Sequence, residues 1–318
     1  MRKYLLKLSI YKSICFKLYV KEKPRFEIRK KDCNKAMTIE EIHEKLKAPE
    51  YDFLRNNQHL GSNIILLGLG GSYSYGMNIE GKSDIDIRGV ALNSKEEILL
   101  LQNFGQVVEA NTDTTIYSFN KMIELLCKAN PNVMEQLGLK PEHYLYIHPI
   151  GQELLNNSQL FLSKRVVHSF AAYAKDQLRK LDHQSSQLMD EDYMGMGRRN
   201  RYAAAHNKLG KHMAHLIRLY YMCFDILENQ KIVTYRDQEH DLLMNIRNGE
   251  YLDKNQQPIS SFYDLLSELE KRLEYDEKNT SLSETPNYQK INEFRMFVNE
   301  KVVTGKIEKE NEKGFCYV

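Results

Sequence analysis

The 318-residue chain predicts an α+β fold: a small mixed sheet flanked by helices, followed by a helical C-terminal half. Two observations carry that prediction. Short β-type runs, "SNIILLGLG", "SDIDIRGVAL", "QVVEA" and "TDTTIYSF", interleave with helical stretches before residue 150. Beyond "HPIG" the apolar spacing is almost wholly helical.

From Met37 to about Arg55 the pattern is helical, opened by Thr38 as N-cap with Glu41 three residues on. "SNIILLGLG" reads as a buried strand by its branched apolar content and glycine ending. "SYSYGM" has room for about one helical turn. "SDIDIRGVAL" alternates with period two, and "SKEEILLL" follows as a helix. "QVVEA" and "TDTTIYSF" make two more strands, a hairpin across Asn111. "NKMIELLCKANPNVMEQLGL" is helical up to Asn130-Pro131, where proline breaks it, and then forms a second short helix. After a boundary near 148–158 come "KRVVHSFAAYAKDQLRKL", "RRNRYAAAHNKLGKHMAHLIRLYYMCFDILE", "SFYDLLSELEKRLEY" and "YQKINEFRMFVNEKV", all with helical periodicity. The expected organisation is a leader over 1–36, a mixed half over 37–150 and a helical half over 151–318.

Composition narrows the class. No apolar run is long enough to span a bilayer. The five cysteines lack CxxC or Cys/His ligand spacing and read as reduced thiols of a cytoplasmic protein. The net charge of +2 hides an asymmetry: the first 36 residues hold 12 Lys and Arg against 3 Asp and Glu, leaving the body near −7. That basic leader suits contact with nucleic acid. The competing expectation is that translation starts at Met37. Lysines interrupt every apolar stretch of the leader, so it does not read as a secretory signal.

The chemistry concentrates in "GGSYSYGMNIEGKSDIDIRG", residues 70–89. Residues two apart on a strand face the same side, so Asp84 and Asp86 present their carboxylates together while Ile85 and Ile87 face inward. Two anions held so close call for a cation, and hard oxygen ligands suit Mg²⁺ or Mn²⁺ completed by substrate phosphates. Gly71 leaves room for a phosphate, and Ser72 offers a hydroxyl beside free backbone N–H groups. Arg88, on the aspartate face, either offsets their repulsion or touches substrate.

Strand, Gly-Ser, short helix and then SDxD on the next strand resembles the nucleotidyltransferases of the DNA polymerase beta superfamily, with the pattern GSxxxG and [ST]DxDxxG. Gly71, Ser72, Gly76, Ser83, Asp84, Asp86 and Gly89 fill every position. The stretch from Asp113 through "NPNVMEQL", with "KHMAHLIRL" and "LLMNIRNGE" further on, is similar to the YcgL and RlaP type of these proteins, the latter associated with RNA ligase. The likeness covers about residues 60 to 250. It implies a catalytic domain over 37–150 and a helical nucleotide- and acceptor-binding domain over 151–318. It also implies a third carboxylate on a neighbouring strand, for which Asp113 is favoured and Glu109 competes.

The implied reaction is attack by an acceptor hydroxyl on the alpha phosphorus of a nucleoside triphosphate, expelling pyrophosphate. Asp84 and Asp86 would bind two metal ions about 4 Å apart, and Asp113 would complete the site of the metal that activates the hydroxyl. The resemblance makes an RNA 3′ end the first acceptor. A protein hydroxyl is the second, and a silent nucleotide-binding module is the reading from another class.

In the helical half, Leu209, Met213, Leu216 and Tyr220 recur as a buried face. Lys208, Lys211, His215 and Arg218 make a cationic stripe beside it. Since superfamily members face this domain across the nucleotide cleft, Lys211 and then Arg218 are expected on the beta and gamma phosphates, with His215 orienting one of them. "RYAAAH", Arg201 to His206, also fits the loose Arg-x4-His pattern of HEPN-type ribonucleases, which two residues specify only weakly.

Overall fold

The run "IILLGL" becomes β1, Ile64–Leu69, with all six residues buried, as a strand covered on both faces must be. A computed structural model describes residues 37–79, 83–102, 104–174 and 198–307, and the side chains of 198–208 fall outside that description. The basic leader and the Arg201–His206 side-chain pair therefore lie outside the described residues.

Around β1 stand β2 (Ile87–Ala91), β3 (Gln106–Glu109), β4 (Thr114–Ser118) and β5 (Tyr144–Ile147), in the order β3-β4-β2-β1-β5. β1 pairs antiparallel with β2 and β5, and β3 with β4, while β2 and β4 run parallel. The sheet is therefore mixed, and the α+β class read from the sequence is the class observed. The β3–β4 hairpin turns through a 3-10 segment, Ala110–Thr112, as its polar link at Asn111 predicts. β5 had no counterpart in the sequence reading.

Two apolar layers clamp this sheet. On one side Ile64, Leu67 and Leu69 join Ile42, Leu46, Tyr51 and Leu54 from the N-terminal segments. The first of those helices, Ile39–Lys45, starts at Thr38 with Glu41 closing the reciprocal capping box expected from the sequence. On the other side Ile65, Leu66 and Val90 pack with Phe119, Met122 and Leu126, with Leu219, Met222 and Ile226, and with Phe294 and Val298. The first trio of that side lies in the helix Phe119–Cys127, the second in the helix Arg198–Asn229, and the last pair in the helix Tyr288–Val303.

The Arg198–Asn229 helix has two partners along its length. Its later turns join the sheet core; its earlier residues Leu209, Met213 and Leu216 are fully buried against the helices His240–Arg247 and Ser260–Asn279. Tyr220 packs partly buried on the same cluster. The described residues belong to one compact unit. Among them, no helix is long and apolar enough to cross a membrane.

Candidate active site

The "GSYSY" segment forms a short helix, Gly71–Tyr75, directly after β1. Both of its ends depend on glycine. Gly71 has φ +55°, and a Cβ there would come within 1.5 Å of Asp86 Oδ2, so the Asp86 carboxylate lies against the start of the turn. Gly76 ends the helix at φ +75°, with its N–H donating to Tyr73 O and the N–H of Met77 donating to Ser72 O. That pairing is a Schellman cap. The Gly70 N–H donates to Asp86 O at 2.8 Å and ties the turn to the approach to β2.

"SDIDIRGVAL" is strand only from Ile87 onward, and the aspartates stand on its extended approach. Ile85 is buried and Asp84 exposed, so the in–out alternation read from the sequence holds even before the ladder begins. The Ser83 hydroxyl accepts from the Ile79 N–H at 2.8 Å. The structure thus gives Ser83 a backbone-bracing contact.

Strand register decides which carboxylate lies beside Asp86. β2 and β4 are parallel, with Ile87 opposite Thr114 and Arg88 opposite Thr115. One residue earlier on each strand stand Asp86 and Asp113, and their side chains are hydrogen bonded to each other. Asp113 takes a left-handed conformation at φ 43°, ψ 46° between the 3-10 turn and β4. Arg88 holds it there: Nη1 donates to Asp113 O at 2.5 Å and Nη2 to Asp113 Oδ1 at 3.0 Å. Glu109 instead sits opposite Thr114 on the sheet edge, where its carboxylate accepts from the Asn111 N–H.

Burial, and then the hydrogen bond to Asp113, push the Asp86 carboxyl up to about 7. The same bond holds Asp113 below the usual carboxylate range, with the Arg88 charge acting in the same sense. Without a cation the pair therefore shares a proton near neutral pH. Lys211, exposed on the Arg198–Asn229 helix, stabilises the charge on both carboxylates through space. The helical half thus brings a free-standing ammonium to the carboxylate pair.

Arg218 lies elsewhere than the stripe suggested. It is 1% exposed, with Nη2 donating to Glu135 Oε1 at 2.8 Å and its guanidinium 3.5 Å above the Tyr75 ring. Its Nη2 is also 3.0 Å from His215 Nδ1, so His215 does stand beside one of the two cations it was expected to orient. Lys208 falls among the side chains outside the described residues. A buried glutamate that draws Arg218 inward could be found in the sequence only as the charged residue of the "NPNVMEQL" turn.

Among the described residues, no three His, Cys, Asp or Glu side chains are gathered as a ready metal cluster. The donors nonetheless fit a hard divalent ion. Two carboxylates in contact at a glycine-lined turn, one of them forced to keep its proton, are relieved by a cation, and Asp84 stands two residues from Asp86.

The model of the RNA repair pathway DNA polymerase beta family, RlaP, matches residues 38–297. The chain belongs to that family. RlaP membership and the mixed sheet together make it a nucleotidyltransferase of the DNA polymerase beta type. No curated protein matches. Among solved structures, a nucleotidyltransferase-like protein from Exiguobacterium sibiricum 255-15 aligns over 84% of this chain and 76% of that one, at 9% identity and a TM-score of 0.28. So loose a correspondence equates no individual residues between the two.

Proposed function

We propose that this RlaP-family chain moves a nucleoside monophosphate from a nucleoside triphosphate to an acceptor hydroxyl, with an RNA 3′ end as the acceptor. The observation that carries the reading is the Asp86–Asp113 pair, set against Gly71 and faced by Lys211. The family's description as an RNA repair pathway supports RNA. The working compartment is the cytoplasm, where Cys127 and Cys223 stay reduced.

Residues 37–150 supply the catalytic half and 151–318 the half that grips nucleotide and acceptor. Asp84, Asp86 and Asp113 would hold Mg²⁺ or Mn²⁺, two ions in the full site, which supply charge neutralisation and a more acidic attacking hydroxyl. Gly71 admits the triphosphate against backbone, and Ser72 offers it a hydroxyl. Gly76 ends the cradle and Ser83 braces the Ile79 backbone beyond it. Lys211 binds the beta and gamma oxygens, where charge develops as pyrophosphate leaves. His215 and Arg218 stand behind it. Arg88 holds the Asp113 carboxylate, and Asp113 would take the proton of the attacking hydroxyl.

The test is incubation with each labelled triphosphate and Mg²⁺ in the presence of total RNA or total protein. Label on RNA 3′ ends is the expected result. Label on protein would convert the reading to protein nucleotidylation. Triphosphate binding with no transfer to either would make the chain a silent nucleotide-binding module.

A further inference from the structure

Behind the carboxylate pair lies a second buried polar cluster, and its meaning rests on the nucleotidyl-transfer reading. Glu135 is its hub, and its side chain is buried. Oε2 accepts from the Tyr75 hydroxyl at 2.7 Å, Oε1 accepts from Arg218 Nη2 at 2.8 Å, and the backbone carbonyl accepts from Thr234 Oγ1 at 2.7 Å. Three distant segments therefore meet on one residue: the Gly71–Tyr75 helix, the Arg198–Asn229 helix and the loop after it.

Stability alone accounts poorly for this choice. A buried Arg–Glu pair loses hydration that an apolar pair of the same volume never had. Arg218 also leaves Nε and Nη1 buried without a hydrogen-bond partner. What the cluster achieves is geometric. Tyr75 is the last residue of the helix whose first residue, Gly71, lies on the Asp86 carboxylate. Arg218 is seven residues, about two turns, from Lys211 on the same helix face. Clamping Tyr75 to Arg218 through Glu135 therefore fixes the turn and Lys211 relative to each other.

Further contacts act on the same end of the short helix. The Arg236 N–H donates to Tyr75 O at 3.1 Å, the Tyr235 ring fills the space beside Gly76, and the Arg247 guanidinium donates to Met77 O. All three come from the helical half.

We propose that Glu135, Tyr75 and Arg218 are positioning residues that set the spacing between the Gly71–Ser72 turn and Lys211, so that a triphosphate held by both presents its alpha phosphorus to the Asp86–Asp113 side. Glu135 touches no phosphate in this account. Its loss therefore separates positioning from simple electrostatics: removing a negative charge near an anion site should tighten anion binding, whereas loss of position should loosen it.

The experiment uses the full chain and four variants: Tyr75→Phe, Glu135→Gln, Arg218→Met and the double Glu135→Gln/Arg218→Met. Melting temperature, binding of labelled triphosphate without acceptor, and kcat and KM for triphosphate are measured on each. Glu135→Gln and Arg218→Met should each lower the melting temperature, because each strands a buried partner, and the double variant should regain it. Triphosphate affinity and kcat/KM should stay down by about tenfold to a hundredfold in the double variant, the scale expected when reacting groups shift by about 1 Å. Tyr75→Phe removes the donor to buried Glu135 Oε2, so it should lower the melting temperature modestly and lose about tenfold in kcat/KM. Wild-type affinity and turnover in the double variant and in Tyr75→Phe would overturn the positioning role alone. An unmutated protein that neither binds nor transfers any triphosphate would overturn the underlying reading along with it.

Discussion

Asp86 is a carboxyl wedged between a glycine turn and a second carboxyl, with Arg88 and Lys211 as the nearby cations that favour its charge. Its folded-state value of about 7 lies above the ordinary 3.8. Between those values the folded protein holds a proton that the unfolded chain has released. Asp86 therefore makes the metal-free protein lose stability as pH rises through that window, the loss being complete above about 7. Asp113, shifted downward, acts in the opposite sense, its contribution present above its ordinary value and lost as pH falls below it. Urea midpoints of metal-free protein should fall as pH rises from about 4 to about 7, and Asp86→Asn should flatten that slope. The same variant should melt no lower than wild type near pH 8 while losing transfer altogether. Full activity in both Asp84→Asn and Asp86→Asn would end the carboxylate mechanism. Gly71→Ala should also abolish transfer, since its methyl group would have to displace the Asp86 carboxylate. Gly71 and Asp86 were legible because backbone approach and carboxylate pairing leave a mark at fixed sequence spacing. The burial of Arg218 was not: helical spacing groups it with Lys211, and its partner Glu135 lies 83 positions away.

At the scale of elements, β2 and β4 do most to build the site. Their parallel register aligns the residue before each strand, so Asp113 reaches Asp86 while Glu109 is left on the edge hairpin. Asp113→Ala should therefore cost several orders of magnitude in kcat and Glu109→Ala less than about tenfold, as read by single-turnover kinetics. The reverse order would show that the hairpin carries the wrong carboxylate into the site. Most elements could be read in order along the chain. Thr38 with Glu41 and Ser94 with Glu97 mark helix starts through capping boxes, and Asn130 before Pro131 caps the second short helix. β5 escaped because four residues, "YLYI", sit between a proline-led 3-10 turn and another proline, too short a run to show a period. Strand β2 was read too long because the alternation of "SDIDI" outlasts its hydrogen-bonded ladder. Periodicity reports which way side chains face, and pairing is decided by a neighbour that local sequence does not contain.

Across the whole molecule, the catalytic sheet and the helical half share one interior. Ile65, Leu66 and Val90 meet Leu219, Met222 and Ile226 there, so the mixed half and the helical half are parts of a continuous core. Lys211→Ala should raise the apparent constant for triphosphate about tenfold, about 1.4 kcal/mol, although it lies far along the chain from the aspartates. Unchanged nucleotide affinity would return that helix face to an ordinary solvated flank. A fragment of residues 37–150 should bind a hydrophobic dye and lack near-UV dichroism, because one face of its sheet would keep only the cover of the helix Phe119–Cys127 and lose that of Leu219, Met222 and Ile226. The shared interior also governs the order of events during synthesis. The last strand of the sheet is complete at Ile147 and the helix that covers it ends at Asn229. At about 5–20 residues per second the nascent sheet waits on the order of 4–16 s with one apolar face only partly covered, by the helix Phe119–Cys127. Slowing translation between Ile147 and Asn229 should therefore increase the aggregated share of the newly made chain, read as insoluble product in a cell-free synthesis.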